Sequence, residues 1–126
     1  KFTGVTTAGS IVVTGEGGTT TTNLQQGLVK SWIKIAGTTS PASSIDSFNS
    51  SSLTDNGTGD YTINLSNNMS NDDFGGGLGG QDTTTRDNVH LSFEGQATSS
   101  FQIQYYEGSS KADCARVLSL IAGDLA

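Results

Sequence analysis

Short stretches of this chain alternate apolar and polar residues with a period of two. In LVKSWIKIA (28–36), Val29, Ser31, Ile33 and Ile35 fall on one side and Lys30, Trp32 and Lys34 on the other. That is the pattern of a strand with one buried face. Leu24, Leu28 and Trp32 are spaced by four, so a helical start competes with it; Gly27 weakens that option and leaves room for a single turn over 23–26. Residues 48–54 and 60–65 read as a hairpin pair. In the second of these Tyr61, Ile63 and Leu65 share a face, opposed by Thr62 and Asn64. In 89–93, Val89, Leu91 and Phe93 point inward and His90 outward. In 101–106, Phe101, Ile103 and Tyr105 oppose Gln102, Gln104 and Tyr106. ARVLSLIA (115–122) is more continuously apolar, as expected of a strand buried on both faces or of a short helix.

About six short strands at this spacing predict an all-β chain, a small antiparallel β-sandwich or barrel. Two segments lack the period. Residues 1–23 are rich in threonine and glycine around one short β-type core, 10–14. They read as a connector or the end of a shaft whose strands pair with other chains, with disorder as the competing reading. Residues 75–88, GGGLGGQDTTTRDN, read as a long loop, because five glycines in six positions remove any local preference. The expected division is a shaft or connector over 1–23 and a distal β domain over 24–126.

Composition sharpens this picture. Only 33% of the 126 residues are hydrophobic, and 17 are glycine. A chain of this length buries roughly two thirds of its unfolded surface, but with few large apolar side chains. Association with copies of itself would add buried area. The net charge is −6, with six Lys and Arg scattered along the chain; a protein that holds phosphates concentrates basic residues on one face. Nucleic acid and anionic membrane surfaces are therefore not expected partners, and no apolar run has the length of a membrane span. The chain starts at Lys1 rather than Met, as expected of a processed product or a piece of a longer protein. Its one cysteine, Cys114, allows no intrachain disulfide and argues against a thiolate zinc site. It reads as a small apolar side chain near a strand.

Candidate chemistry is thin. His90 is the one histidine, with Asp87 three residues before it, and no GxSxG elbow occurs; it reads as an exposed strand residue. Paired-carboxylate chemistry has Asp60, Asp82, Asp87, Glu94, Glu107 and Asp113 to draw on, and none is marked by spacing. The glycine run 75–80 lacks the Lys-Ser/Thr of a phosphate loop. Two oxygen-rich groups, Asp55 to Asp60 and Asn68, Asn71, Asp72 and Asp73, are candidates for a weak cation, without the ligand spacing of a helical calcium loop. The first reads better as a turn. Asn56-Gly57 suits a type I′ hairpin, Gly59 adds a corner, and Asp55 and Asp60 cap backbone amides. No cofactor is expected.

GLVKSW (27–32) and SIDSFNSSSLTDNGTGDYTINLSNNMSNDDF (44–74) go beyond composition. They resemble a domain found at the C-terminal end of tail fibres and related virion structural proteins of tailed bacteriophages, many from marine and aquatic hosts. The shared pattern falls on Lys30 and Trp32; on Asp46, Ser47, Phe48, Asn49, Ser51 and Ser52; on Thr54, Asp55, Gly57, Thr58, Gly59, Asp60, Tyr61 and Thr62; and on Met69 and Phe74. Ser50 stands where that family more often has a hydrophobic residue. The likeness is dense over about 45 residues, weaker at both ends and absent over 75–100. The C-terminal FQIQYYEGSSKADCARVLSLIAGDLA is similar to the family's last strand pair.

The resemblance implies a homotrimeric, non-enzymatic virion protein at the particle surface, in contact with other virion proteins and with a host-surface glycan or protein. It makes Asp55, Asn56, Gly57, Gly59 and Asp60 a framework turn. The 75–88 loop lies outside the shared motif, so Leu78, Gln81, Asp82 and Arg86 become the expected receptor contacts. A capsid-fibre or decoration part without a receptor is the alternative from a second class, and a polysaccharide depolymerase is the third.

Overall fold

The computed structural model describes residues 11–14, 16–82 and 88–126. In chain order the elements are β1 (Val12–Thr14), β2 (Thr21–Asn23), a single helical turn α1 (Leu24–Gly27), β3 (Val29–Ala36), β4 (Ser43–Phe48), β5 (Ser50–Gly57), β6 (Asp60–Leu65), β7 (Gly75–Gln81), β8 (Val89–Ala97), β9 (Ser100–Glu107), β10 (Ser110–Lys111) and β11 (Arg116–Ala122). The fold is all-β, two antiparallel sheets packed as a small sandwich. One sheet runs β4-β3-β11-β7. The other runs β5-β6-β9-β8, with β10 alongside the end of β9 on the β6 side. β1 and β2 pair only with each other, as a ribbon outside both sheets.

The alternating stretches set the core. Ile33, Ile35, Val117 and Ile121 of the first sheet meet Tyr61, Ile63, Phe101, Ile103 and Tyr105 of the second, all of them buried. Phe101 packs edge-on against Phe74 at 6.1 Å and Phe93 at 5.9 Å, the arrangement favoured by ring quadrupoles. Met69 and Phe74 close one end, resting where a Cβ at Gly123 would lie 2.7 and 2.8 Å from them. Cys114 is buried, as expected, and its thiol donates to the carbonyls of Arg116 at 3.1 Å and Gln81 at 3.3 Å.

Four expectations need correction. First, the glycine run is no loop: 75–81 is β7, paired residue by residue with β11 from Gly75↔Ala122 to Gln81↔Arg116. Glycine has no preference of its own, so the unpaired edge of the apolar β11 decides its conformation. The inward glycines are also needed, since a Cβ at Gly76 would lie 2.3 Å from the Leu120 carbonyl oxygen. Second, 48–54 is not one strand. Phe48 ends β4 in one sheet and Ser50 begins β5 in the other. The chain turns at Asn49, at φ 55°, a region that asparagine enters more readily than most residues.

Third, β11 alternates rather than being buried on both sides. Val117, Ser119 and Ile121 face in, while Leu118 and Leu120 are 38% and 50% exposed. Fourth, Val29 and Lys30 exchange their expected sides, Val29 exposed and Lys30 buried. The exchange occurs where the β3–β11 register slips at Ile121–Ala122.

Candidate functional site

The two outer faces of the sandwich differ in chemistry. On the β5-β6-β9-β8 sheet, cross-strand pairing aligns the outward residues in rows. One row is Thr54–Thr62–Gln102–Glu94; the next joins Asp60, Gln104 and Ser92; a third joins Lys111, Tyr106 and His90. No aliphatic side chain interrupts these rows. Their inward neighbours are the buried Tyr61, Ile63, Phe101 and Ile103, so the alternation that builds the core also builds this face.

Asp60 organises it. The residue is only 8% exposed. Its Oδ1 accepts from Asn56 Nδ2 at 3.1 Å and from Gln102 Nε2, and its Oδ2 accepts from Gln104 Nε2 at 3.2 Å and from the Lys111 ammonium, with which it forms an ion pair. Burial pushes the Asp60 carboxyl up, but the hydrogen bonds from Lys111, Gln102 and Asn56, with the Lys111 charge, outweigh it and hold the group below its ordinary 3.8. The hydrogen bond to Asp60 in turn raises Lys111. Asn56 also donates to Thr62 Oγ1 at 2.8 Å, and Tyr106 Oη pairs with Gln104 Oε1 at 2.6 Å. The His90 and Tyr106 rings stack at 4.8 Å, 3° from parallel. The result is a flat array of amides, hydroxyls and carboxylates, fixed in place by one another and bordered by an aromatic pair.

The framework turn lies at its edge and differs from the expected geometry. Asn56 keeps strand conformation, with its amide committed to Asp60 and Thr62. The chain reverses at Thr58–Gly59, with positive φ at Gly57 (118°) and Gly59 (63°), so this is not a type I′ turn centred on Asn56-Gly57. Asp55 does cap, accepting from Gly57 N at 3.0 Å and from Ala42 N at 2.7 Å. The second cap is Asp113 rather than Asp60: its Oδ1 accepts from Gly59 N at 2.8 Å and from Tyr61 Oη at 3.4 Å. Burial pushes the Tyr61 hydroxyl up, and the Asp113 charge and hydrogen bond push it further. Each carboxylate oxygen of Asp55 and Asp60 thus accepts at least one internal hydrogen bond, which is turn and sheet chemistry rather than a vacant cation shell.

In the other oxygen-rich group, Asn71 Oδ1 caps Asp73 N at 3.0 Å. Among the described residues no group of three or more His, Cys, Asp or Glu is placed to hold a metal ion.

Of the four expected contact residues, three are described. Leu78 turns inward and packs against the core. Gln81 and Asp82 lie at the end of β7, beside a small cleft of about 140 Å³ shared with Ala115 and Arg116. Arg86 and Asp87 are outside the described residues. His90 is exposed on β8, as expected, but Val89, expected inward with Leu91 and Phe93, is exposed too, because it starts the strand beyond the core. Sequence reasoning missed Gln102, Gln104, Tyr106 and Lys111 as a group. The signal was present in the polar half of FQIQYYE, but only strand pairing brings Lys111 and Asp60 beside it. The chain matches no family model, no curated protein and no solved structure.

Proposed function

We propose that this chain is the distal domain of a tailed-phage fibre, a non-enzymatic virion component that attaches to the host surface. We place the attachment surface on the polar outer face of β5-β6-β9-β8, with a neutral host glycan as ligand. The observation that carries this reading is the pre-fixed array around Asp60 bordered by the His90–Tyr106 pair. Planar side-chain amides held in place by Asp60 match the paired hydroxyls of a sugar ring, and an aromatic ring face matches its C–H surface. Because the side chains already hold one another, binding would order few of them anew. The resemblance over 27–32 and 44–74 supports the fibre assignment. Each domain would contribute weak contacts, multiplied by the copies in a homotrimer. Gln81 and Asp82, at the end of β7, are a second candidate contact region.

A purely structural virion part is the second reading, favoured by the apolar outer face of the other sheet. The experiment measures whether the recombinant chain binds purified host-surface polysaccharide and blocks phage adsorption. Under the attachment reading, Tyr106→Ala and His90→Ala each weaken binding at least about fivefold without changing the circular dichroism. Gln81→Ala with Asp82→Ala reports on the second region. A folded wild-type chain that binds no host material fits the structural reading and removes the attachment one.

A further inference from the structure

We infer that the outer face of β4-β3-β11-β7 is where copies of this chain meet, with β4 of one copy lying against β7 of the next. The inference deepens the fibre-subunit reading by naming its assembly surface, and its test is independent of any host ligand. Two cross-strand rows run across the middle of this face: Phe48–Trp32–Leu120–Gly77 and Asp46–Lys34–Leu118–Gly79. Phe48 and Leu120 are 53% and 50% exposed. Each row ends at β7 in bare glycine backbone, and the first carries an exposed Phe48 at its β4 end, so the face holds a knob at one edge and a groove at the other. Nothing lies within 4 Å of a Cβ placed on Gly77. Beside Leu118, Leu120 and Trp32 the glycines floor an apolar groove of about 380 Å³.

Phe48 stands three strands away on the same face, roughly 14 Å at ordinary strand spacing, and cannot fill its own chain's groove. A neighbour related by rotation about an axis along the strands brings its β4 to this β7, so each Phe48 meets the next copy's groove.

Charge points the same way. The chain carries −6 overall, yet the outward positions of this face hold Lys34, Arg116 and Asp46, so self-contact here does not add to the acidic excess. The face measures about 19 by 23 Å in plan. Two such faces, with side-chain relief, approach the ~1,200 Å² at which specific interfaces begin.

The test is sedimentation velocity of the full chain over about a hundredfold concentration range, with Phe48→Ala, Gly77→Leu and the double variant. Both single changes lie at open positions, and near-ultraviolet circular dichroism checks that each variant is folded. The wild type is expected to self-associate. Phe48→Ala removes the knob and Gly77→Leu fills the groove, each weakening association at least about tenfold. The double variant, with side-chain bulk moved from β4 to β7, recovers most of the loss. A folded wild type that stays monomeric throughout overturns the inference. So does an oligomer indifferent to both single changes, or a double variant no better than the singles. A dimer upholds the face while removing the homotrimer from the functional reading. A wild type that associates but binds no host glycan removes the attachment reading alone.

Discussion

Gly76→Ala set against Gly77→Ala tests the conversion of a glycine run into a paired strand. The two residues are neighbours in β7 with opposite surroundings. A Cβ at Gly76 would lie 2.3 Å from the Leu120 carbonyl oxygen and 2.9 Å from Ile121 Cδ1, whereas one at Gly77 meets nothing within 4 Å. Carbon–oxygen contacts settle near 3.3–3.6 Å, so alanine at 76 forces β7 and β11 apart locally by about 1 Å. Overpacking of that kind costs about 1–3 kcal/mol, and stretching a flanking ladder bond adds about 1 kcal/mol. Against this, alanine stiffens the unfolded chain and returns about 0.4–1 kcal/mol.

The net expectation is a loss of about 2–3 kcal/mol for Gly76→Ala and a gain of about 0.5 kcal/mol for Gly77→Ala. The assay is urea unfolding followed by the fluorescence of Trp32, the one tryptophan, whose strand adjoins β11. It is run at low protein concentration so that association does not enter. Melting temperatures should differ by about 10 °C or more at this chain length. If Gly76→Ala is as mild as Gly77→Ala, or the order reverses, the facing of β7 is wrong.

Three further outcomes follow from named contacts. Asn49 turns the chain between sheets at φ 55°, donating to Lys30 O at 2.9 Å and Asn67 O at 3.1 Å and accepting from Asn67 N at 2.7 Å. Asn49→Ala should therefore cost about 2–4 kcal/mol in urea unfolding, with Asn49→Gly milder by about 1 kcal/mol because glycine accepts the angle. The Asp60 carboxyl is held below 3.8 in the folded chain, so its contribution is complete above that value and is lost as pH falls through the folded pKa. Urea midpoints from pH 6 to 2 should fall below about pH 4 in the wild type and fall less in Asp60→Asn. Cys114 is fully buried, so a thiol reagent should label the native chain only at the rate at which it opens, and label it at once in denaturant.

The sequence exposed the strands whose side chains carry a period of two. β6 and β9 alternate so strictly that their inward residues, from Tyr61 to Tyr105, were readable before any pairing was known; in β8 the pattern held for Leu91 and Phe93 but not for Val89. The rest depended on partners. β7 has almost no side chains and therefore no pattern; only the free edge of β11 explains it. Asn49 sits inside a run of short polar residues, DSFNSSS, where one corner looks like any other until Lys30 and Asn67 supply its bonds. The polar face was half visible as Gln102, Gln104 and Tyr106 opposed to Phe101, Ile103 and Tyr105. What could not be read was that Asp60, 42 residues from Gln102 and 51 from Lys111, would gather their donors. Position along the chain carries no such information when the pairs are set by sheet topology.

β11 shows where local reading and single-chain structure disagree, and why that disagreement points outward. A strand that reads VLSLI is built for two apolar surroundings, yet within one chain only Val117, Ser119 and Ile121 enter the core. Leu118 and Leu120 were not needed to form the strand, since threonine or another β-branched polar residue at either position would serve a solvated face as well. The opposite sheet follows that rule: every outward position on β9 is polar or amphipathic, from Gln102 to Tyr106. One fold therefore treats its two outer faces differently. The difference is sharpest where Trp32, Leu118 and Leu120 stand beside bare glycine backbone. A domain poor in large apolar residues that still spends four of them, with Phe48, on one outer face supports the proposal that copies meet there. Under the same proposal the Asp60 face is the side left to solvent.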